Sequence, residues 1–147
     1  VKLEAKQKPE FKITVKKETT DDLCEATAEV VTELLNSAVS FHKLHLKITG
    51  QGSYAAHKAT NKIYDALPNH GDDLAEQFQG AKEELLKYNE KAPKALSSVK
   101  EGIAYANELK QMVTSLQSKM PYSEIVNLLD ETKSSINSLK YRLLFLS

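Results

Sequence analysis

The chain has 147 residues, of which 41% are hydrophobic and 27% charged, with five glycines and four prolines. This is the size and balance of one globular domain with a single core, and it holds too little glycine and proline for a turn-rich all-β fold. Formal net charge is zero and Arg142 is the sole arginine among 20 basic residues, which argues against a uniformly basic nucleic-acid binder and against arginine readout of base edges.

Residues 1–18 form a segment of their own, with six lysines and three glutamates. Within it Phe11, Ile13 and Val15 alternate with Lys12, Thr14 and Lys16, a period-2 pattern that predicts an extended, partly strand-like tail over residues 10–17, docked on a neighbour. The remaining residues, 19–147, read as one helical domain.

The first helix is predicted from about Thr20 to Thr49. Thr19 or Thr20 can cap it, and Asp21 and Asp22 suit the positive end of the helix dipole. Its apolar stripe runs Leu23, Thr27, Val30, Leu34, Ala38, Phe41, His45, Ile48 in steps of three and four, and Gly50 and Gly52 end it. The second helix starts near Ser53 with the stripe Thr60, Tyr64, Leu67, Gly71, Leu74, Phe78, Ala81, Leu85. Pro68 falls inside it. A proline there removes a backbone donor and clashes with the preceding turn, at a cost of about 3 kcal/mol. The helix either breaks at Pro68 and restarts with Asp72 as its cap, or runs on with a kink; the unbroken phase of the stripe favours the kink.

Residues 88–98 read as a connection. A third helix over 99–119 carries Ile103, Ala106, Leu109, Met112, Val113 and Leu116. After Pro121, the fourth helix has the most regular pattern of the chain, Ile125, Leu129, Thr132, Ile136, Leu139, Leu143, Leu146. Four amphipathic helices, two of them long, predict an all-α four-helix bundle.

The residues that could carry chemistry cluster at the first two helices. His45 lies late on helix one. His57 and Asn61 are four apart on helix two, as are Asp72 and Glu76, so each of these pairs shares a helix face. Imidazole with carboxylate is a ligand set suited to iron and related divalent metals. The bland alternatives are a packed core histidine at His45 and a solvated acidic face at Asp72 and Glu76. His42 and His70 are expected to be solvated. Met112 and Met120 read as core filler. Cys24, the only cysteine, reads as an inert thiol; it permits neither an internal disulfide nor a cysteine zinc cluster, which fits a reducing compartment. No apolar run approaches the roughly 20 residues of a membrane span, and the lysine-rich N-terminus lacks the apolar stretch of a secretory leader.

The pattern His45-Leu46 with Gly50, His57 twelve residues after the first histidine, then Asp72-x-x-Ala75-Glu76 resembles the Dps family (DNA-binding protein from starved cells). The resemblance is specific over His45 to Glu76 and extends at the level of helix layout from about Thr20 to Ser147. It implies a ferritin-like four-helix bundle, a homo-oligomer of up to a dodecamer, and an iron-binding ferroxidase centre at a two-fold interface. On that likeness, His45 and His57 come from one subunit, and Asp72 and Glu76 from its partner. Three positions depart from the family pattern. Asn61 stands where the family has an aspartate, Leu46 where a tryptophan is usual, and Pro68 interrupts a continuous helix. The resemblance therefore implies an iron-sequestering cage with weakened ferroxidase activity, and non-specific DNA contact through the N-terminal lysines, in a cytoplasmic protein. The alternative is a ferritin-like domain with a decayed metal site that serves as an assembly module, for example in a phage particle, which would make the protein virion-associated.

Overall fold

The computed structural model describes the chain from residue 15, with side chains from residue 22. Four helices follow in order: α1 Val15–Lys47, α2 Ser53–Lys82, α3 Val99–Lys119 and α4 Ser123–Phe145. No strand occurs among the described residues. α1 packs on α2, α2 on α4, α4 on α3, and α3 on α1, so the helices form a closed square around one core.

Contacts at the ends fix the directions. Gly102, early in α3, sits against Leu44 and Phe41 late in α1 and Leu143 late in α4. Leu116 and Lys119, late in α3, share a groove with Ala26 and Val30, early in α1. Phe78, late in α2, meets the ring of Tyr122 just before α4, while Ser147 lies against Gly52 just before α2. α1 and α4 therefore point one way, and α2 and α3 the other.

Because α2 and α3 are parallel, residues 83–98 must climb back along the whole bundle. Sixteen extended residues at about 3.3 Å each reach roughly 50 Å, enough to return along α2, whose 30 residues span about 45 Å. The crossover runs alongside α1. Lys87 borders Glu25, Lys91 pairs with Glu33 at 2.8 Å, the Asn36 amide donates to the Lys91 carbonyl at 2.8 Å, and Lys47 donates to the Leu96 carbonyl at 3.0 Å. Leu86 and Leu96 plug into the core at its two ends.

The core holds most of the residues the sequence marks. In α4, Ile125, Leu129, Thr132, Ile136, Leu139 and Leu143 are buried; Leu146 is exposed because the helix stops at Phe145. In α2, Leu67, Gly71, Leu74 and Phe78 are buried, but Ala81 and Leu85 are exposed. There the helix ends at Lys82 and Glu83 turns left-handed at φ 56°, which rotates Leu85 off the apolar face, so the connection starts earlier than 88. α3 keeps its predicted bounds, started by Ser98, whose hydroxyl accepts from the Glu101 amide while Glu101 accepts from the Ser97 amide. This is close to a capping box.

Two expectations change. α1 is already helical at Val15, the first described residue, ahead of the expected start near Thr20, so residues 15–17 are helical and not extended. Lysine and glutamate are good helix formers, so local preference outweighs the short alternation. The rest of the strand-like tail, with Phe11 and Ile13, and the lysines expected to touch DNA before Val15, lie outside the described residues. At Pro68, α2 does not break; it runs as one helix from Ser53 to Lys82 with the proline inside it.

Candidate functional site

The turn between α1 and α2 has Gly50 at φ 91° and Gly52 at φ 77°, left-handed values that favour glycine. Gly52 is also closely backed by the Ser147 backbone. This tight reversal brings His45, in the last turn of α1, against His57, in the second turn of α2. The two rings stack with centroids 3.6 Å apart and planes 27° from parallel.

The pair is held reciprocally. His45 Nδ1 donates to the His57 carbonyl at 3.0 Å, and His57 Nδ1 donates to the His45 carbonyl at 3.3 Å. A carbonyl oxygen only accepts, so each Nδ1 carries its proton, and in the neutral rings each Nε2 bears a free lone pair. That is how metal-binding imidazoles are oriented: the distal nitrogen donates to a backbone or carboxylate oxygen and the other faces the metal. Both rings are half-buried. Tyr64 stands edge-on to His45 at 5.3 Å and stacks on His42 at 4.3 Å. Thr60, fully buried, caps the cluster from below through its hydroxyl bonds to the Ala56 and His57 carbonyls.

Asn61 lies one turn beyond His57, and its side-chain oxygen accepts from the Tyr64 hydroxyl. Asp72 and Glu76 are exposed farther along α2. At 1.5 Å per residue they stand about 22 and 28 Å from His57 along the helix axis, so one chain does not bring the carboxylates to the histidines. Among the described residues no three His, Cys, Asp or Glu side chains cluster closely enough to hold a metal ion.

His42 is exposed as expected, but His70 is not simply solvated. It is half-buried against α4, with Nε2 3.0 Å from the Ser135 hydroxyl. Burial pushes its pKa below the usual histidine value, against the pull of Glu131 and Asp73. Cys24 is a free, partly buried thiol, Met120 is buried and Met112 packs on the core edge.

The sequence reading missed a buried polar clasp. Glu33 is 7% exposed inside the bundle. It accepts from the Tyr105 hydroxyl at 2.7 Å and from Lys91 at 2.8 Å. Burial raises its pKa, but the hydrogen bonds from Lys91 and Tyr105 and the charges of Lys91 and Lys94 outweigh it and hold the carboxyl below its usual range. The same burial, with the Glu33 bond and charge, pushes the Tyr105 hydroxyl far up. The available signal was positional: Glu33 falls one turn after Val30 and beside Leu34 on the apolar face of α1. No helix of the described residues is long and apolar enough to cross a membrane.

No curated protein and no solved structure matches the chain. One protein-family model does, over residues 45–143. That stretch is about two thirds of the 147 residues; it opens on His45 and takes in His57, Asn61, Asp72 and Glu76. The chain therefore belongs to the family that this model describes, a family of unknown function, DUF5856.

Proposed function

We propose that this protein is the subunit of a ferritin-like, Dps-like oligomer that binds a divalent transition metal, iron being the expected one. In this reading His45 and His57 of one copy bind together with Asp72 and Glu76 of another. The observation that carries it is the reciprocal Nδ1 bonding of the stacked histidines, which leaves both Nε2 lone pairs available. The long crossover along a square of four helices, with α2 and α3 parallel, is the arrangement of ferritin-like bundles, and supports the fold half of the reading. A bend of α2 at Pro68 belongs to it as well, since the missing amide frees the Tyr64 carbonyl.

The ligand positions on α2 also fit a two-fold partnership. At about 100° per residue, His57, Asn61, Asp72 and Glu76 fall within a sector of roughly 100°. A two-fold axis passing near residues 64–68 would set the histidine end of one α2 beside the acidic end of the other. Asn61 contributes no charge where the pattern calls for a carboxylate, so the site binds iron weakly and turns it over slowly or not at all.

A second reading has one observation behind it. The Asn61 oxygen is engaged by the Tyr64 hydroxyl, which occupies one of its two lone pairs and competes with a metal; this suits a ferritin-like domain whose metal site has decayed into an assembly module. Oligomeric mass and bound iron, measured on one sample with and without added ferrous ion, separate the two. The metal reading expects an oligomer that retains iron, tighter binding in Asn61→Asp and weaker binding in Glu76→Gln. An oligomer without iron selects the assembly module, and a monomer whose iron binding ignores both substitutions defeats both readings.

A further inference from the structure

The sole arginine of the chain lines a groove on the opposite side of α2 from the histidine pair. The groove, about 190 Å³, runs between α2 and α4. Its floor is apolar, formed by buried Ile63 and Leu139. Its walls carry Lys62 from α2 and Arg142 from α4, with Ser134, Ser135 and Ser138 on the α4 side, and no carboxylate lines it. We infer that this groove binds a small phosphate-type oxyanion, held between Lys62 and Arg142 and hydrogen-bonded by the α4 serines.

Three observations converge. Two cations border one small cleft whose lining has no counter-charge, and neither Lys62 nor Arg142 makes an ion pair among the described residues. Clefts lined by one sign of charge concentrate ions of the other sign. The guanidinium offers planar paired donors that match phosphate or carboxylate oxygens, whereas the ammonium acts as a point charge on the other side. The serines are free to serve. Thr114, Ser118 and Thr132 turn their hydroxyls back to their own helix carbonyls, but those of Ser134 and Ser138 make no such bond among the described residues, and that of Ser135 faces His70. The hydroxyls of Ser134 and Ser138 can therefore donate to an anion, and that of Ser135 can do so when His70 Nε2 is the donor of their shared bond.

Size selects the ligand. A groove this small is below the usual range of about 300–1,000 Å³ for organic-ligand pockets, so it suits inorganic phosphate or the head of a short phosphate monoester rather than a whole nucleotide. The same phosphate chemistry is carried by free metabolites and by lipid headgroups, and the two sources are separated by the vesicle arm of the test.

The test is a titration of the full-length protein with inorganic phosphate and with glycerol phosphate, followed by amide NMR shifts, and a parallel sedimentation assay with phosphatidylglycerol vesicles. Saturable shifts are expected at Lys62, Ser134, Ser135, Ser138 and Arg142. Arg142→Gln and Lys62→Gln should each weaken binding at least fivefold, while Lys140→Gln, on α4 but outside the groove lining, should change it less than twofold. Equal weakening by all three variants, shifts that never saturate, or sedimentation with vesicles in the absence of saturable phosphate binding would each overturn the assignment.

Discussion

Tyr105→Phe tests the buried clasp that ties the crossover to the bundle. The substitution removes one oxygen and keeps the ring, so the stack on Phe41 at 5.5 Å survives. What is lost is the 2.7 Å hydrogen bond to the Glu33 carboxylate, in a site where Tyr105 is 1% exposed. Hydrogen bonds to charged groups contribute about 1.5–3 kcal/mol. Glu33 keeps its bond to Lys91, whose side chain is 63% exposed and brings water near, so the loss should fall in the lower half of that range, about 2 kcal/mol. For a domain of this size that is a fall in Tm of roughly 5–8 °C. The effect has a pH signature. The folded Glu33 carboxyl sits below its unfolded value of 4.5, so its stabilisation is complete above that pH and is lost as pH falls through the folded value. The gap between the parent and Tyr105→Phe should therefore be widest at neutral pH and shrink once Glu33 is protonated. Urea unfolding followed by circular dichroism across that range measures it. A loss below about 0.5 kcal/mol, under the range for such bonds, or a gap that does not change with pH, would refute the clasp.

Gly80→Ala should stabilise the protein by about 1 kcal/mol, because Gly80 is an exposed helical position with open space where the methyl would go and alanine is the better helix former; thermal melting reads it. Gly52→Ala should do the reverse, costing more than about 1 kcal/mol for a left-handed residue, since it also drives a methyl to 2.5 Å from the Ser147 backbone. A Tm equal to the parent's would refute both the left-handed conformation of Gly52 and its close approach to Ser147. His70→Gln should flatten the acid side of the stability profile. Burial depresses the folded pKa of His70 below its ordinary 6.5, so its contribution is complete above that value and is lost as pH falls through the folded pKa. A variant whose melting temperature tracks the parent's from pH 8 to pH 5 would show that His70 has no such role.

How legible this architecture is depends on what each element packs against. α4 reads directly, because its buried residues recur in regular three-four steps and it lies against two helices along its whole length. The end of α2 does not, because Leu85 continues the apolar phase while the backbone turns left-handed at Glu83; a stripe records spacing and not where the helix stops. Glu33 escapes a hydropathy reading because its partners, Lys91 and Tyr105, are 58 and 72 residues away. Such a carboxylate looks exposed until the crossover and α3 are in place. The meeting of His45 and His57 was accessible in outline, since Gly50 and Gly52 mark a tight reversal between them. The reciprocal Nδ1 bonds were not, because they depend on how far the two helix ends overlap.

The faces of α2 divide the molecule's capacities among different neighbours. One face carries Thr60 and Tyr64 toward α1, where they support the histidine pair. Another carries Ile63 and His70 toward α4, where Lys62 and Arg142 border the serine-lined groove. The sector between them carries Asp72 and Glu76, which are exposed on it. Charged residues on a free face are ordinarily just solvated, and a single chain offers them no metal, since the imidazoles stand about 22 Å away along the helix. A metal site built from these residues is therefore a property of two chains, and its affinity is bound to that of the interface that forms it. The oxyanion groove, by contrast, draws every group from α2 and α4 of one chain, so it should act at any dilution at which the bundle is folded.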